Sequence, residues 1–385
     1  MLAGALTFGE LASRYPQAGG LYVYLREAWG SRAAFLYGWL CFLILDPGIV
    51  ASLAIGLARY LVVLWPGAAG HERWLALATV WILALGSMAG LRLSSRALNV
   101  LTAAKLLAIG AVVLGAFTVG AGSWSHFQQF VARRAGAPPL LQALGLGLIG
   151  CFYSFGGFWE VSRVAGEIRE PRRQLPRALA LGVAAVTAVY IATTLAFIYL
   201  VPLSRATDAS DFARRAGEAL FGSRGPRVFA ATVAASAAAS AAALLLMAPR
   251  LYLAMSRDNL FPAALATLHP VTQAPVRATI VLATLASAFV VSGSFSQIVT
   301  FFLCPTLVFV ALAAGALFVI RRRHPDALGF RAPGYPLTPA LFVVLLLAVV
   351  AFIALAYPVP ALAGCALVLI GLPLYRVLLL RGALG

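Results

Sequence analysis

Charge is what this sequence has least of. Its 385 residues include only 12 Asp and Glu, and 11% are charged in all. Soluble domains carry about 25%, so a soluble globular protein is excluded. Histidine is equally sparse, with four residues at His71, His126, His269 and His324, scattered through polar stretches. None has a second ligand at zinc spacing, which argues against a metal site. The four cysteines, Cys41, Cys151, Cys304 and Cys365, fall in apolar runs. They are expected to be buried single thiols, not a disulfide framework. No phosphate-loop motif is present, so ATP-driven work would need a partner chain. The apolar runs also lack the His/Asp/Glu clusters of acid–base or metal chemistry, which disfavours an enzyme. No cofactor and no catalytic residue is expected.

What is present is apolar length. Hydrophobic residues make up 62% of the chain and the mean hydropathy is +0.94. Runs long enough to cross a bilayer, about 20 residues each, occur near 35–64, 74–90, 98–120, 139–162, 176–202, 227–255, 276–293, 296–320, 337–357 and 359–380. They predict an all-α integral membrane protein. The formal charge of +17 would suggest nucleic acid in a soluble protein. Here it sorts by side. With the loop around Arg14 placed in the cytoplasm, most arginines, including Arg26, Arg169, Arg172, Arg173 and Arg321–Arg323, fall on the cytoplasmic side. That obeys the positive-inside rule. A lipid bilayer is the partner, and nucleic acid is not.

The opening "MLAGALTFGE" has too few apolar residues before Glu10 to span a membrane. It also lacks the basic start and cleavage site of a signal peptide. It reads as the last half of a span whose first half is absent, or else as a short interfacial helix.

Four stretches carry a family resemblance. They are "ELASRYPQAGGLYVYLREAWG" at 10–30, "FYSFGGFWEVSRVAGEIREPRRQLPRAL" at 152–179, "SRDNLFPAALATLHPVTQAPVRA" at 256–278 and "IRRRHPDALGFRAPGYPLTPALF" at 320–342. In order and spacing they resemble amino acid permeases of the APC (amino acid–polyamine–organocation) superfamily, in the branch of bacterial relatives of L-type amino acid transporters. The resemblance implies a helical bundle of the LeuT type with five-plus-five inverted repeats, lacking its first span. It implies one transporter domain over residues 1–385, from the end of the second span to the twelfth. It also implies an amino acid as solute, secondary transport by alternating access, and a bacterial plasma membrane. In the family the first span holds the solute's carboxylate, so this chain taken alone is expected to transport weakly or not at all.

"CFYSFGGFW", residues 151–159, lies inside an apolar run. Each glycine costs a helix interior about 1 kcal/mol against alanine. Backbone groups freed by a break are costly in hydrocarbon unless they line a cavity or meet a ligand, and broken helices mark binding sites in secondary transporters. Tyr153, Ser154, Phe155, Gly156, Gly157, Phe158 and Trp159 are therefore the candidate solute-binding residues, with a discontinuity expected at 154–157. Ser154 suits the opening, and the four aromatics suit its walls. The alternative is close helix packing, the part assigned to Gly145, Gly147 and Gly150.

Lys105 is the chain's only lysine. An ammonium inside a span costs about 2.5–3.5 kcal/mol. By resemblance it occupies the place of a sodium ion bound by sodium-coupled relatives, implying sodium-independent transport with proton coupling or exchange. The alternative is snorkelling, since it lies about six residues from the cytoplasmic end of its run. Asp46 and Glu160 are intramembrane acids and functional candidates. Either has Lys105 or Arg163 as a candidate partner. Glu167, at the end of its run, is expected in a gate or cap salt bridge.

Overall fold

Apolar segments that must satisfy their own backbone can do so as helices, and helices form nearly all of this chain. The computed structural model describes residues 1–385 other than 90, 132–138, 204–208, 293–294, 326–328 and 383–385. No β-strand occurs among the described residues. A helix occupies each of the ten apolar runs. Among the described residues, six helical segments are long and apolar enough to cross a bilayer on length and composition alone: 31–64, 171–200, 215–257, 302–323, 337–356 and 358–376. The protein is an integral, multi-pass membrane protein.

The order begins with α1 (Leu2–Arg14), α2 (Leu21–Trp29) and α3 (Ser31–Leu40). A π turn, Cys41–Leu45, joins α3 to α4 (Asp46–Leu64). Pro47 explains that wider turn. Proline has no N–H to give the preceding turn, and the Asp46 amide reaches back five residues to the Cys41 carbonyl. Then come α5 (Glu72–Met88), α6 (Leu91–Thr118), α7 (Leu140–Phe155) and a 3₁₀ segment, Phe158–Glu167. Next are α8 (Pro171–Leu200), α9 (Ala209–Phe221) and α10 (Gly225–Arg257). The remainder is α11 (Val276–Ser292), α12 (Phe295–Arg323), α13 (Leu337–Ala356), α14 (Pro358–Leu369) and α15 (Gly371–Gly382).

The longest packed interface is α4 against α10, with α5 and α11 also on α4. This is the scaffold. Against it stands a group in which α1 packs on α8 and α13, and α13 on α7. The two ends of the bundle differ. Arg14, Arg26, Arg257 and Arg321 gather at one end, while Trp65, Trp74 and Trp124, each more than two-thirds exposed, lie on segments at the other. Tryptophan favours the membrane–water boundary, where its ring is half wet. Between the ends, leucines such as Leu107, Leu181 and Leu347 face outward, as lipid requires.

All four cysteines are free. Cys41 and Cys304 are buried, but the expectation fails for the other two: Cys151 is exposed and Cys365 half-buried. Cys151 lies two turns beyond Leu144 on the same face of α7, and Leu144 is exposed too.

Glu10 ties the arginine-rich end together. It is fully buried on α1. Its carboxylate accepts Arg321 Nε at 2.8 Å and Nη2 at 2.5 Å, the Ala332 amide at 2.7 Å and Arg14 Nε at 3.0 Å. Arg321 also stacks on Tyr335, 3.9 Å from the ring centre. Glu10→Gln keeps the shape but leaves two guanidinium groups facing each other. It is expected to cost about 3 kcal/mol, the low end for breaking a buried ion pair. The check is the melting midpoint of detergent-solubilised protein.

Candidate solute and coupling site

Helix α7 stops at Phe155, inside its apolar run. Gly156 and Gly157 form a turn, and Gly157 takes φ +92°. Only glycine adopts that conformation without strain. The chain then resumes as 3₁₀ helix for ten residues, Phe158–Glu167, starting with the Glu160 amide on the Gly157 carbonyl at 2.9 Å. Runs of 3₁₀ beyond three or four residues are uncommon and mark hinges or strained stretches. The discontinuity falls where the sequence placed it.

Breaking a helix strands carbonyls, and one finds a donor across the gap. The Ser154 carbonyl accepts the Tyr190 hydroxyl of α8 at 3.0 Å. Phe155 meets the Tyr190 ring edge-on, with centroids 5.0 Å apart. A cavity of about 350 Å³ opens here, with Ser154, Phe155, Gly156 and Phe158 on the break and Leu179, Gly182, Val186 and Tyr190 on α8. Its wall is almost wholly apolar.

The other candidates separate. Trp159 is buried outside this lining and packs on Phe8 of α1 and on Phe158, at 6.2 and 4.9 Å. Phe8, Phe158 and Phe342 form the rest of an aromatic core under the break. Gly157 is the hinge itself. The Tyr153 side chain lies outside the described residues.

Below the break the 3₁₀ segment is fastened to the scaffold by one side chain. Arg163 is 1% exposed, as is Asp46 of α4. Arg163 Nη1 donates to both Asp46 oxygens at 2.9 Å, and Nη2 to the Tyr37 hydroxyl of α3 at 3.3 Å. Nη2 also lies 3.3 Å from Cys41 Sγ. Nε faces Glu160, one turn back on its own segment. The Tyr252 hydroxyl of α10 completes the Asp46 shell at 3.0 Å. A charge this deep must be paired, and here four segments share the pairing. Further along, Glu167 accepts Arg250 Nε of α10 at 2.6 Å, the salt bridge expected of it.

The turn at 16–20 braces this segment from the other side. The Gly19 amide donates to the Arg163 carbonyl at 3.2 Å. Gly20 has φ +58°, and a Cβ there would stand 2.7 Å from Ser162 Oγ and 3.2 Å from the Arg163 nitrogen. The paired glycines of "PQAGG" therefore let α2 approach the broken helix.

Lys105 stands apart from both acids. It is the fifteenth of the 28 residues of α6, about 21 Å from the first at 1.5 Å per residue. Helix α6 thus begins several residues before its apolar run does. Lys105 lines a second cavity of about 230 Å³ with Thr193 and Phe197 of α8 and Thr232 and Ser236 of α10.

Residues 1–369 match the family model described as amino acid permease. The chain belongs to the amino acid permease family. It is 25% identical to a serine/threonine exchanger of Bacillus subtilis over 348 residues, covering 88% of this permease and 77% of that protein. An uncharacterized transporter of Mycobacterium tuberculosis is 30% identical over 312 residues, 80% of this permease and 67% of the relative. The large neutral amino acids transporter small subunit 2 of Mus musculus is 24% identical over 381 residues, 97% and 71%.

Sequence reasoning left Lys105 and Arg163 as alternative partners of the acids, of which the structure brings Arg163 to them, and it missed Tyr37, Tyr190 and Tyr252. Their roles depend on which helices meet, and hydropathy does not encode that. The one available signal is a tyrosine inside an apolar span, because a buried hydroxyl needs a partner.

Arg163→Ala leaves two buried carboxyls without their shared donor and is expected to cost about 3–5 kcal/mol. Asp46→Asn keeps the shape, leaves Glu160 to balance Arg163, and is expected to cost clearly less. Melting midpoints of the two purified permease variants test that ranking.

Proposed function

We propose that this permease is a secondary transporter that moves amino acids across a bacterial plasma membrane by alternating access. The solute binds at the break formed by Ser154, Phe155, Gly156, Gly157 and Phe158, and the arginine-rich end faces the cytoplasm. The observation that carries this reading is the helix that ends at Phe155 and resumes at Phe158 beside a cavity.

The chemistry suits a zwitterion. The end of α7 presents carbonyls, which favour an ammonium, and the start of the next segment presents amides, which favour a carboxylate. The apolar wall on α8 suits a neutral side chain. The named relatives fit this range, since one exchanges serine and threonine and another is a subunit for large neutral amino acids. Alternating access needs two bodies. The α4–α10 scaffold supplies one, and the group carrying the broken helix supplies the other.

The proposal makes transport sodium-independent. In this reading the Lys105 ammonium takes the part of a bound cation that links α6 to its neighbours, which is supported by the presence of Thr193, Thr232 and Ser236 in the lining of its cavity.

The experiment is uptake of radiolabelled L-serine and L-leucine into proteoliposomes loaded with the same amino acid. Exchange without sodium is expected for at least one of them. Lys105→Ala is expected to lower the initial rate severely with the fold retained. Lys105→Arg is expected to recover only part of it, because guanidinium is bulkier and differently shaped than ammonium. A fully active Arg variant would return Lys105 to a mere anchor. The alternative reading, a transport-inactive member of the same family, predicts no exchange from protein that is folded and monodisperse.

A further inference from the structure

Two carboxyls and one guanidinium close on each other at the Asp46–Arg163–Glu160 cluster. With both acids ionised, the cluster carries a formal charge of minus one where Asp46 and Arg163 are each 1% exposed. An unbalanced buried charge is costly. Among the described residues no second basic group pairs with either acid. Facing the cluster are Tyr37 of α3, Cys41 of the π turn and Tyr252 of α10. All are neutral in their ordinary forms. The nearby Arg250 is already engaged by Glu167, and Lys105 lines a different cavity. One proton brings the cluster to neutrality.

We propose that Asp46, Glu160 and Arg163 form a proton-binding site that takes one proton per transport cycle and couples it to the solute. The inference rests on the reading of the break as the solute site, and it names where the driving ion binds.

Geometry supplies the route. Glu160 is the wetter of the two acids, 12% exposed against 1% for Asp46. It also reaches the hinge, because a Cβ on Gly157 would lie 3.8 Å from Glu160 Cγ. A proton arriving at Glu160 therefore arrives directly beneath the solute site. Asp46 holds the permanent end, accepting from Arg163 and from Tyr252.

The cluster also spans the two moving bodies. Arg163 and Glu160 ride on the 3₁₀ segment, while Asp46 belongs to the scaffold. When the segment swings away, Arg163 keeps Glu160 as a partner within its own segment. Asp46 then faces water alone as an ordinary carboxylate. The extra proton leaves Glu160 for that water, since the Arg163–Glu160 pair is now balanced without it. The proton and the solute are thus released on the same side. No bond is made or broken other than that to the proton.

The experiment uses the protein in liposomes loaded with the pH-sensitive dye pyranine, with L-serine or L-leucine outside. In the wild type, adding the transported amino acid is expected to acidify the lumen. A gradient of one pH unit, acid outside, is expected to support up to about tenfold accumulation at one proton per solute. Glu160→Gln leaves Asp46 and Arg163 as a neutral pair, permanently like the protonated cluster. It is expected to keep exchange of labelled amino acid at a rate indifferent to pH, and to lose both acidification and accumulation.

Wild-type exchange with no acidification overturns the proton site and leaves the transport reading standing. Coupling that persists in Glu160→Gln places the proton elsewhere and also overturns it. A monodisperse Glu160→Gln protein that neither exchanges nor couples contradicts the neutral-cluster argument. Absence of any exchange in the wild type strikes the transport reading itself.

Discussion

The arrangement of this permease depends on one buried guanidinium. Arg163 has almost no contact with solvent; its two terminal nitrogens donate to Asp46 and Tyr37, and Nε lies beside Glu160. A desolvated charge tolerates little freedom, since each partner it loses goes unreplaced by water. That requirement fixes the 3₁₀ segment against α3, α4 and α10, and so fixes where the chain must resume after the break. The wide turn before Pro47 and the tyrosines on α3 and α10 serve the same demand. They bring Asp46 and two hydroxyls to one point.

The break and the ion cluster are two parts of one device. Gly157 frees the backbone, Tyr190 satisfies one carbonyl that the break strands, and Arg163 keeps the freed segment from wandering. Residues 16–20 brace the same segment from the far side with their paired glycines. The rest of the bundle is more ordinary. Its leucines face lipid, its tryptophans mark one boundary, and the Glu10–Arg321 junction closes the other end.

The fold class was legible because hydrophobic length is a local property. Every apolar run is helical, and the glycine pair at 156–157 marked the break to within a residue. The partnership of Arg163 with Asp46 and Glu160 was visible as a possibility, because intramembrane charges seek each other. Other features were not legible. That α6 begins at Leu91 depends on residues polar enough to look like loop, and this moved Lys105 from near an end to mid-helix. That Trp159 is buried away from the cavity while its neighbour Phe158 lines it depends on the 3₁₀ winding, which rotates side chains differently from an α-helix. That Cys151 faces outward depends on which side of α7 its neighbours occupy. These are properties of packing between helices, and a single chain's periodicity does not carry them.

The central claim is that the solute binds at the break. Hydrogen–deuterium exchange of the purified protein, with and without saturating transported amino acid, tests it most directly. The account predicts slowed exchange of the amides at 156–160, the stretch that carries the break and the amides a carboxylate would lie against. Amides in the α4–α10 scaffold should be far less affected. Protection confined to other segments, with 156–160 unchanged under saturating solute, would contradict it.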